Sequence, residues 1–360
     1  MSHLKNLQAS MKREGAEAIV VSSSVNLRYL SGLHYEDGFA LILPDAAFLL
    51  ADFRYIEDAR TTVDASEFEI VMPDRSMIAY VAALLRDHGV HTVHFEEASL
   101  SYALLERFKK AFEGMELIPG GSRLMDELRL YKDEAEIEKM SRAQKLTDDA
   151  FAHILGFITP ERTEIEVALE LEFYMRAHGS EGTAFDTIAV SGTASSRPHG
   201  VPRPVKLEKG FFTMDFGARV DGYCADMTRT VVIGRADEEM VHLYDTVLSA
   251  QTSAIDALRV GLPCAEADKI ARDIINGAGY EGRFGHSLGH GVGLYIHEDP
   301  RLAGSAGADE VLCPGHVVTV EPGIYIEGKY GCRIEDMVAI LPDGRVHDFT
   351  KSPKNLIELC

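Results

Sequence analysis

The sequence carries too few positive charges to be held by a polyanion. It has 36 Lys and Arg against 57 Asp and Glu, a formal net charge of −21. Electrostatic binding to nucleic acid or to anionic lipid needs the opposite balance. No apolar run approaches the ~20 residues that span a bilayer. The opening MSHLKNLQASMKREGAEAIVV reads as an amphipathic helix leading into a strand, not as a signal peptide. The cysteines, Cys224, Cys264, Cys313, Cys332 and Cys360, are odd in number and scattered, with no CxxC pair. That argues against a zinc ribbon or a disulfide framework and points to a reduced, cytoplasmic chain. Gly-x-Gly-x-x-Gly and Walker patterns are absent, which weakens any nucleotide-binding role.

What is present is 360 residues, 46% of them hydrophobic, enough for one large or two ordinary domains. Residues 1–124 alternate helix and strand and carry no evident chemistry. Helices are expected over Leu4–Glu14, Ser76–His88 and Tyr102–Phe112, strands over Ala18–Ser22 and His91–Phe95, and a hairpin over Phe39–Ala51. Pro119-Gly120-Gly121-Ser122 reads as a junction, and residues 125–360 as a second domain. Its helices are expected over Met125–Phe157, Thr163–His178 (after a capping-type Thr-Glu-Ile-Glu), Glu238–Leu258 and Ala265–Gly277, with a strand over Thr187–Ser191 and β-rich segments at 286–297, 315–327 and 331–341.

The second domain is organised around Gly210–Thr230, GFFTMDFGARVDGYCADMTRT. The stretch alternates as strands do, turns at Val220-Asp221-Gly222, and places Asp215 and Asp226 on either side of the turn. Two carboxylates among apolar neighbours are costly to bury unless a cation lies between them. A second stretch echoes the first. Thr213-Met-Asp215-Phe-Gly217 is matched by Thr319-Val-Glu321-Pro-Gly323, and Cys224-Ala-Asp226 by Cys332-Arg-Ile-Glu335. The echo implies a duplicated βα unit about a pseudo-two-fold axis, with four carboxylates converging.

A fifth donor is expected within Phe284–Pro300, where His286, His290 and His297 sit among glycines that let backbones approach closely. His286 and His290 have the i,i+4 spacing of HExxH, but Ser287 stands where that motif needs Glu, so a zincin is disfavoured. Carboxylates with an imidazole and no thiolate form a hard, oxygen-rich set. It suits Mn²⁺, with Co²⁺, Fe²⁺ or Zn²⁺ as alternatives. Four acids are too many for one ion that keeps an open position, so two ions sharing a bridging hydroxide nucleophile fit better. Each acid alone would ordinarily be a surface residue at a strand end; the joint pattern points to the centre.

At these residues the sequence resembles the pita-bread metallopeptidases, in the aminopeptidase P and prolidase branch. Met214-Asp-Phe-Gly217, Asp226-Met-Thr-Arg229, His286-Ser-Leu-Gly-His290-Gly, Glu321-Pro-Gly323 and Arg333-Ile-Glu335-Asp336 occur in that family's order. Asn26–Gly32 and Asp52–Tyr55 resemble its creatinase-like N-terminal domain. The resemblance implies an α/β (α+β) protein, a creatinase-like domain followed by a pseudo-two-fold pita-bread catalytic domain. It implies that Asp215 chelates one metal, His290 and Glu321 the other, and that Asp226 and Glu335 bridge. His199, His286, His297 and Arg333 match catalytic or substrate-pocket residues, and Arg301 resembles the carboxylate-binding arginine of some prolidases. Arg197 and Arg203, flanking His199, could equally face the cleft.

The implied reaction is hydrolysis of the Xaa-Pro bond at a peptide's N-terminus. An Xaa-Pro aminopeptidase is expected, with an Xaa-Pro dipeptidase as the alternative. In that reaction His286 or His297 steadies the oxyanion and Glu321 shuttles the proton. Proline-containing peptides are the expected partners, with self-association as a dimer favoured. Methionine aminopeptidase normally lacks the N-terminal domain, and creatinase-type hydrolases should not retain all five ligands. A non-catalytic peptide-binding protein on the same scaffold is the alternative of another class, usually marked by lost ligands.

Overall fold

The computed structural model describes residues 2–359, so Cys360 lies outside the described residues. The chain divides into two compact units, Met1–Arg129 and Leu130–Cys360. The first contains α1 (His3–Glu14), β1 (Ala18–Val21), α2 (Ser24–Ser31), β2 (Gly38–Ile42), β3 (Ala47–Ala51), α3 (Ile56–Thr62), β4 (Glu69–Val71), α4 (Met77–Asp87), β5 (Thr92–Phe95), α5 (Tyr102–Ala111), β6 (Glu116–Pro119) and α6 (Gly121–Arg129). Its strands form one mixed sheet in the order β4-β3-β2-β1-β5-β6. Helix α1 forms because Leu4, Leu7 and Met11 fall on one buried face. The Ser2 side chain caps its start, and Gly15, at φ +71°, closes its end.

The expected elements of this unit are present within a residue or two. Helices α2 and α3 and strands β4 and β6 are additions. Helix α2 is held by a distant residue: buried Glu96 accepts hydrogen bonds from the Ser22 and Ser23 amides (2.5 and 2.8 Å) and from the Asn26 side chain (2.5 Å). The expected division after residue 124 falls inside α6. The helix expected over Met125–Phe157 is two helices. The chain breaks after Arg129 and restarts as α7 (Glu134–Phe157) under a capping box in which Asp133 and Glu136 bond each other's backbone amides.

The second unit continues with α8 (Glu164–Ala177), β7 (Gly182–Thr183), β8 (Ile188–Ser191), β9 (Gly210–Phe216), β10 (Ala218–Val220), β11 (Tyr223–Cys224) and β12 (Met227–Ile233). It then runs through α9 (Glu238–Ala257), α10 (Cys264–Gly277), β13 (Gly289–Gly291), β14 (Glu298–Leu302), β15 (Val317–Val320), β16 (Gly323–Ile326), β17 (Tyr330–Arg333), β18 (Asp336–Ile340), β19 (Val346–Asp348) and β20 (Glu358–Leu359). The segment 286–297 is less regular than expected. Only Gly289–Gly291 is strand, and Gly293 bonds Tyr295 in a tight turn (3.0 Å).

The short sequence echo is a repeat of topology. Helices α7 and α8 precede three adjacent antiparallel strands, β8-β9-β12; helices α9 and α10 precede β13-β15-β18. A small hairpin is inserted before the third strand of each set, β10-β11 in one and β16-β17 in the other. Strand alternation then divides β9 between two surroundings. Phe212, Met214 and Phe216 pack with residues of α7 and α8, while Phe211 joins the core built on α9 and α10. Thr213 and Asp215 therefore share a face away from α7 and α8, and register places them opposite Thr230 and Thr228 of β12. Cys224 and Cys332 lie in the matching small hairpins. Burial raises both thiols to about 12, which makes them small apolar fillers, not redox groups.

Candidate metal centre

The two halves deliver acids at the same two points. Asp215 is near the end of β9 and Asp226 just before β12; Glu321 follows β15 and Glu335 precedes β18. Two threonines join these pairs. Thr228 Oγ1 donates to Glu335 Oε2 (2.6 Å), its carbonyl accepts from the Glu335 amide (3.1 Å), and Thr230 Oγ1 donates to the Arg333 carbonyl (2.9 Å). Arg333 then reaches across. Its Nη2 donates to Asp215 Oδ2 (2.6 Å), Nε to Thr228 Oγ1 (2.9 Å), and Nη1 to the Tyr325 hydroxyl (2.8 Å). Behind the centre, fully buried Arg229 bonds Asp336 Oδ1 (2.7 Å) and the Glu335 carbonyl (2.7 Å), fixing the chain that carries Glu335.

His290 enters from β13. Its backbone amide donates to Thr319 Oγ1 (3.1 Å), and its Nδ1–H donates to the Gly291 carbonyl (2.9 Å). That bond leaves the Nε2 lone pair facing the acids, 3.6 Å from both Asp226 Oδ2 and Glu321 Oε1. Asp226, His290 and Glu335 offer ligand atoms that all lie within 4.8 Å of one another. The expected close backbone approach is explicit here, since a Cβ on Gly289 would lie 1.9 Å from the Thr319 carbonyl oxygen. Gly289→Ala must push β13 off β15 and move His290. We expect a loss of about 1–3 kcal/mol together with weakened metal binding, checked by melting with and without added Mn²⁺. An unchanged melt with full metal response would show that the strand accommodates the methyl group.

Four carboxylates and the neutral imidazole of His290 gather around Arg333, with Arg301 further along the pocket wall. Burial, then the neighbouring charges of Asp215 and Glu321, raises the Asp226 carboxyl well above its ordinary value. Burial and the charges of Asp226, Glu321 and Asp215 do the same to Glu335. Burial is the main cause raising Glu321 to about 8, with Arg333 opposing. Burial lowers His290 to about 4 and His286, beside Arg333, also to about 4. Asp215 Oδ1 is buried and has no hydrogen-bond partner among the described residues. The donors are therefore hard, partly unsatisfied and short of positive charge, and they fit divalent cations.

A cavity of about 850 Å³ opens onto this centre. Its wall includes His199, Asp215, Asp226, His286, His290, His297, Arg301, Glu321, Arg333 and Glu335, so the residues singled out in the sequence converge on one space. Arg197 and Arg203 do not line it; Arg203 turns back to pair with Glu164 (2.6 Å). Sequence reasoning missed Thr228, Thr230 and Tyr325. The threonines repeat every second residue from Asp226 and so share its face, a signal that was available. Tyr325, whose hydroxyl bonds His286 Nε2 (3.0 Å), had no local signature.

A duplicated αβ framework that brings four acids and a histidine to the floor of an open pocket defines a metal-dependent hydrolase of the pita-bread class. Residues 138–342 match the metallopeptidase family M24 and residues 3–131 the creatinase/prolidase N-terminal domain, and the chain belongs to this family. It is 40% identical to an uncharacterized peptidase of Bacillus subtilis, over 100% of this chain and 99% of the relative. A solved Xaa-Pro dipeptidase from Bacillus anthracis superposes with a TM-score of 0.94 at 41% identity, covering 99% of each chain. A solved X-Pro aminopeptidase from Thermotoga maritima gives 0.90 at 35%, covering 97% of this chain and 100% of that one. Among the described residues, no helix is long and apolar enough to cross a membrane.

Proposed function

We propose that this protein hydrolyses Xaa-Pro bonds at the N-terminus of peptides, acting as an Xaa-Pro aminopeptidase. The observation that carries the proposal is the convergence of Asp215, Asp226, His290, Glu321 and Glu335 on one pocket, in a chain whose relatives include both dipeptidases and aminopeptidases of this specificity. Two divalent cations, Mn²⁺ in this proposal, would be held by those five residues, with Asp226 and Glu335 shared; when bound they supply Lewis acidity and an ionised water near neutral pH.

The chain's own groups set the rest. Arg333 holds Asp215 Oδ2, which leaves Oδ1, unpartnered among the described residues, as the oxygen for a cation. His286 is fixed by its Nδ1–H bond to the Ser287 carbonyl (2.9 Å) and by Tyr325 at Nε2, which keeps a neutral ring beside the reacting carbonyl. His297, its ring centroid 4.5 Å from that of His290, stands on the open side, where it can donate to the developing oxyanion. Glu321, 3.9 Å from His286 Nδ1, carries a proton to the leaving imino nitrogen. His199 meets the substrate at the pocket wall. The bond to proline lacks N–H, so selection must come from a pocket shaped for the ring. A panel of Ala-Pro, Ala-Pro-Ala, Ala-Ala and Met-Ala with Mn²⁺ tests the proposal. Cleavage confined to the proline peptides is expected, and equal cleavage of Met-Ala would refute it.

The dipeptidase alternative is favoured by the likeness to the Bacillus anthracis Xaa-Pro dipeptidase and by the position of Arg301 on the pocket wall. A fixed guanidinium is suited to a dipeptide's free carboxylate. Arg301→Ala is then expected to raise KM for Ala-Pro by about tenfold, the loss of one charge-assisted contact, with a smaller effect on Ala-Pro-Ala. Equal losses on both would remove Arg301 from carboxylate recognition.

A further inference from the structure

Two buried acids outside the centre make the same kind of structure, one in each half. Glu164, the first residue of α8, is fully buried and accepts five hydrogen bonds. Oε1 takes them from the Ser191 amide (2.7 Å), the Ser191 hydroxyl (2.8 Å) and Arg203 Nη2 (2.6 Å). Oε2 takes them from the Arg203 amide (2.9 Å) and Nε (2.8 Å). Arg203 Nη2 also reaches the Ser191 carbonyl (3.2 Å). The carboxylate thereby ties together both ends of the loop from Ser191 to Arg203, and His199 is carried on that loop.

In the other half, Asp268 of α10 is buried at 1% exposure. Its Oδ1 accepts from the Leu288 amide (3.0 Å) and Arg272 Nη2 (2.9 Å), and its Oδ2 from Arg272 Nε (2.8 Å). The same Arg272 donates to the carbonyls of Phe284 (2.7 Å) and His286 (2.9 Å). Asp268 and Arg272 thus grip the segment 284–288 on both sides of His286. Neither acid and neither arginine lines the pocket. A carboxylate buried this deeply needs a purpose for its partners, because an apolar pair would pack at less cost in desolvation. The first loop carries only a 3-10 turn over Gly192–Ser196 and is also held by Arg333 at the Pro198 carbonyl (3.3 Å), as His286 is by Tyr325. The two pairs add the bonds that anchor the backbone on either side of each histidine.

We infer that Glu164–Arg203 and Asp268–Arg272 are positioning pairs for the peptidase reaction, the first acting through His199 and the second through His286. The inference rests on the proposed peptidase function for its kinetic test, and on the fold alone for its physical one. Displacing a contacting group by about 1 Å costs up to a hundredfold in rate. Asp268→Asn is therefore expected to lower kcat on Ala-Pro-Ala by roughly ten- to a hundredfold. The double variant Asp268→Asn, His286→Ala should be no slower than His286→Ala alone, since the pair acts through that ring. Glu164→Gln should be absorbed in the same way by His199→Ala, whereas Glu164→Gln combined with His286→Ala should multiply.

Hydrogen exchange provides a readout that needs no substrate. Protection over 284–288 should fall selectively in Asp268→Asn, and over 191–203 in Glu164→Gln, with Mn²⁺ stoichiometry unchanged in both. If either variant fails to fold, Arg272→Lys and Arg203→Lys, which keep the charge and lose the fork, are expected to show the same losses in weaker form. Multiplicative effects within a matched pair, or unchanged exchange in both loops, would overturn the inference. If the wild-type protein cleaves no Xaa-Pro peptide, the peptidase reading fails by itself, and the exchange result still decides whether the pairs hold the loops.

Discussion

Asp226→Ala is expected to lower Xaa-Pro turnover by more than about a thousandfold, well past the roughly ten- to hundredfold lost when only an outer partner of a metal ligand is removed. In the proposed centre Asp226 is a shared ligand; its Oδ2 lies 3.6 Å from His290 Nε2, and it belongs to the tight donor group with Glu335. Its loss should take dinuclear binding with it. The effect on stability has the opposite sign to that of an ordinary buried substitution. Burial and the charges of Asp215 and Glu321 disfavour the ionised Asp226, so without metal this carboxylate opposes folding. Metal-free Asp226→Ala should melt at or above metal-free wild type at pH 8, a result read by calorimetry. A variant that melts far below wild type would show Asp226 to be a structural residue.

Metal removal should make stability fall as pH rises. An acid whose folded pKa exceeds its unfolded value contributes stability that is complete below the unfolded value and is lost as pH passes the folded one. Glu321 is raised from 4.5 to about 8 by burial, and Asp226 and Glu335 shift in the same direction. His286 and His290, lowered by burial to about 4, act in the opposite sense as pH rises towards 6.5 and contribute no further change above it. Between about pH 6.5 and 8 the acids therefore act unopposed, at up to about 1.4 kcal/mol per pH unit for each titrating group. Chelated protein should lose at least roughly 2–4 °C in Tm per pH unit over that window. Mn²⁺ should restore it, by an increment that grows with pH because bound cations replace the missing positive charge. A metal increment that stayed constant from pH 6.5 to 8 would contradict this account.

The centre was legible because its chemistry is written in local pattern. Asp215 and Asp226 stand out as charges in alternating apolar strands, and the same pattern recurs at Glu321 and Glu335. His290 stands out by its glycine neighbours, and Gly289 does lie where any side chain would strike Thr319. What remained hidden depends on partners far away in the chain. Helix α2 rests on Glu96, 70 residues from Asn26. Tyr325 acquires meaning only between His286 and Arg333. Arg203 flanks His199 in sequence, where a place in the cleft is as good an expectation as any, yet Glu164 turns it inward. The break between α6 and α7 was obscured because charged residues at helical spacing continue through Asp133, whose side chain starts a new helix instead of extending the old one.

Titration of metal-depleted protein with Mn²⁺, followed by turnover of Ala-Pro-Ala, tests the central claim most directly. Activity should appear on addition and reach its limit at two equivalents per chain, with no comparable cleavage of Ala-Ala. Folded protein that binds two equivalents and cleaves neither peptide, or that cleaves Ala-Pro-Ala equally well without metal, would contradict it.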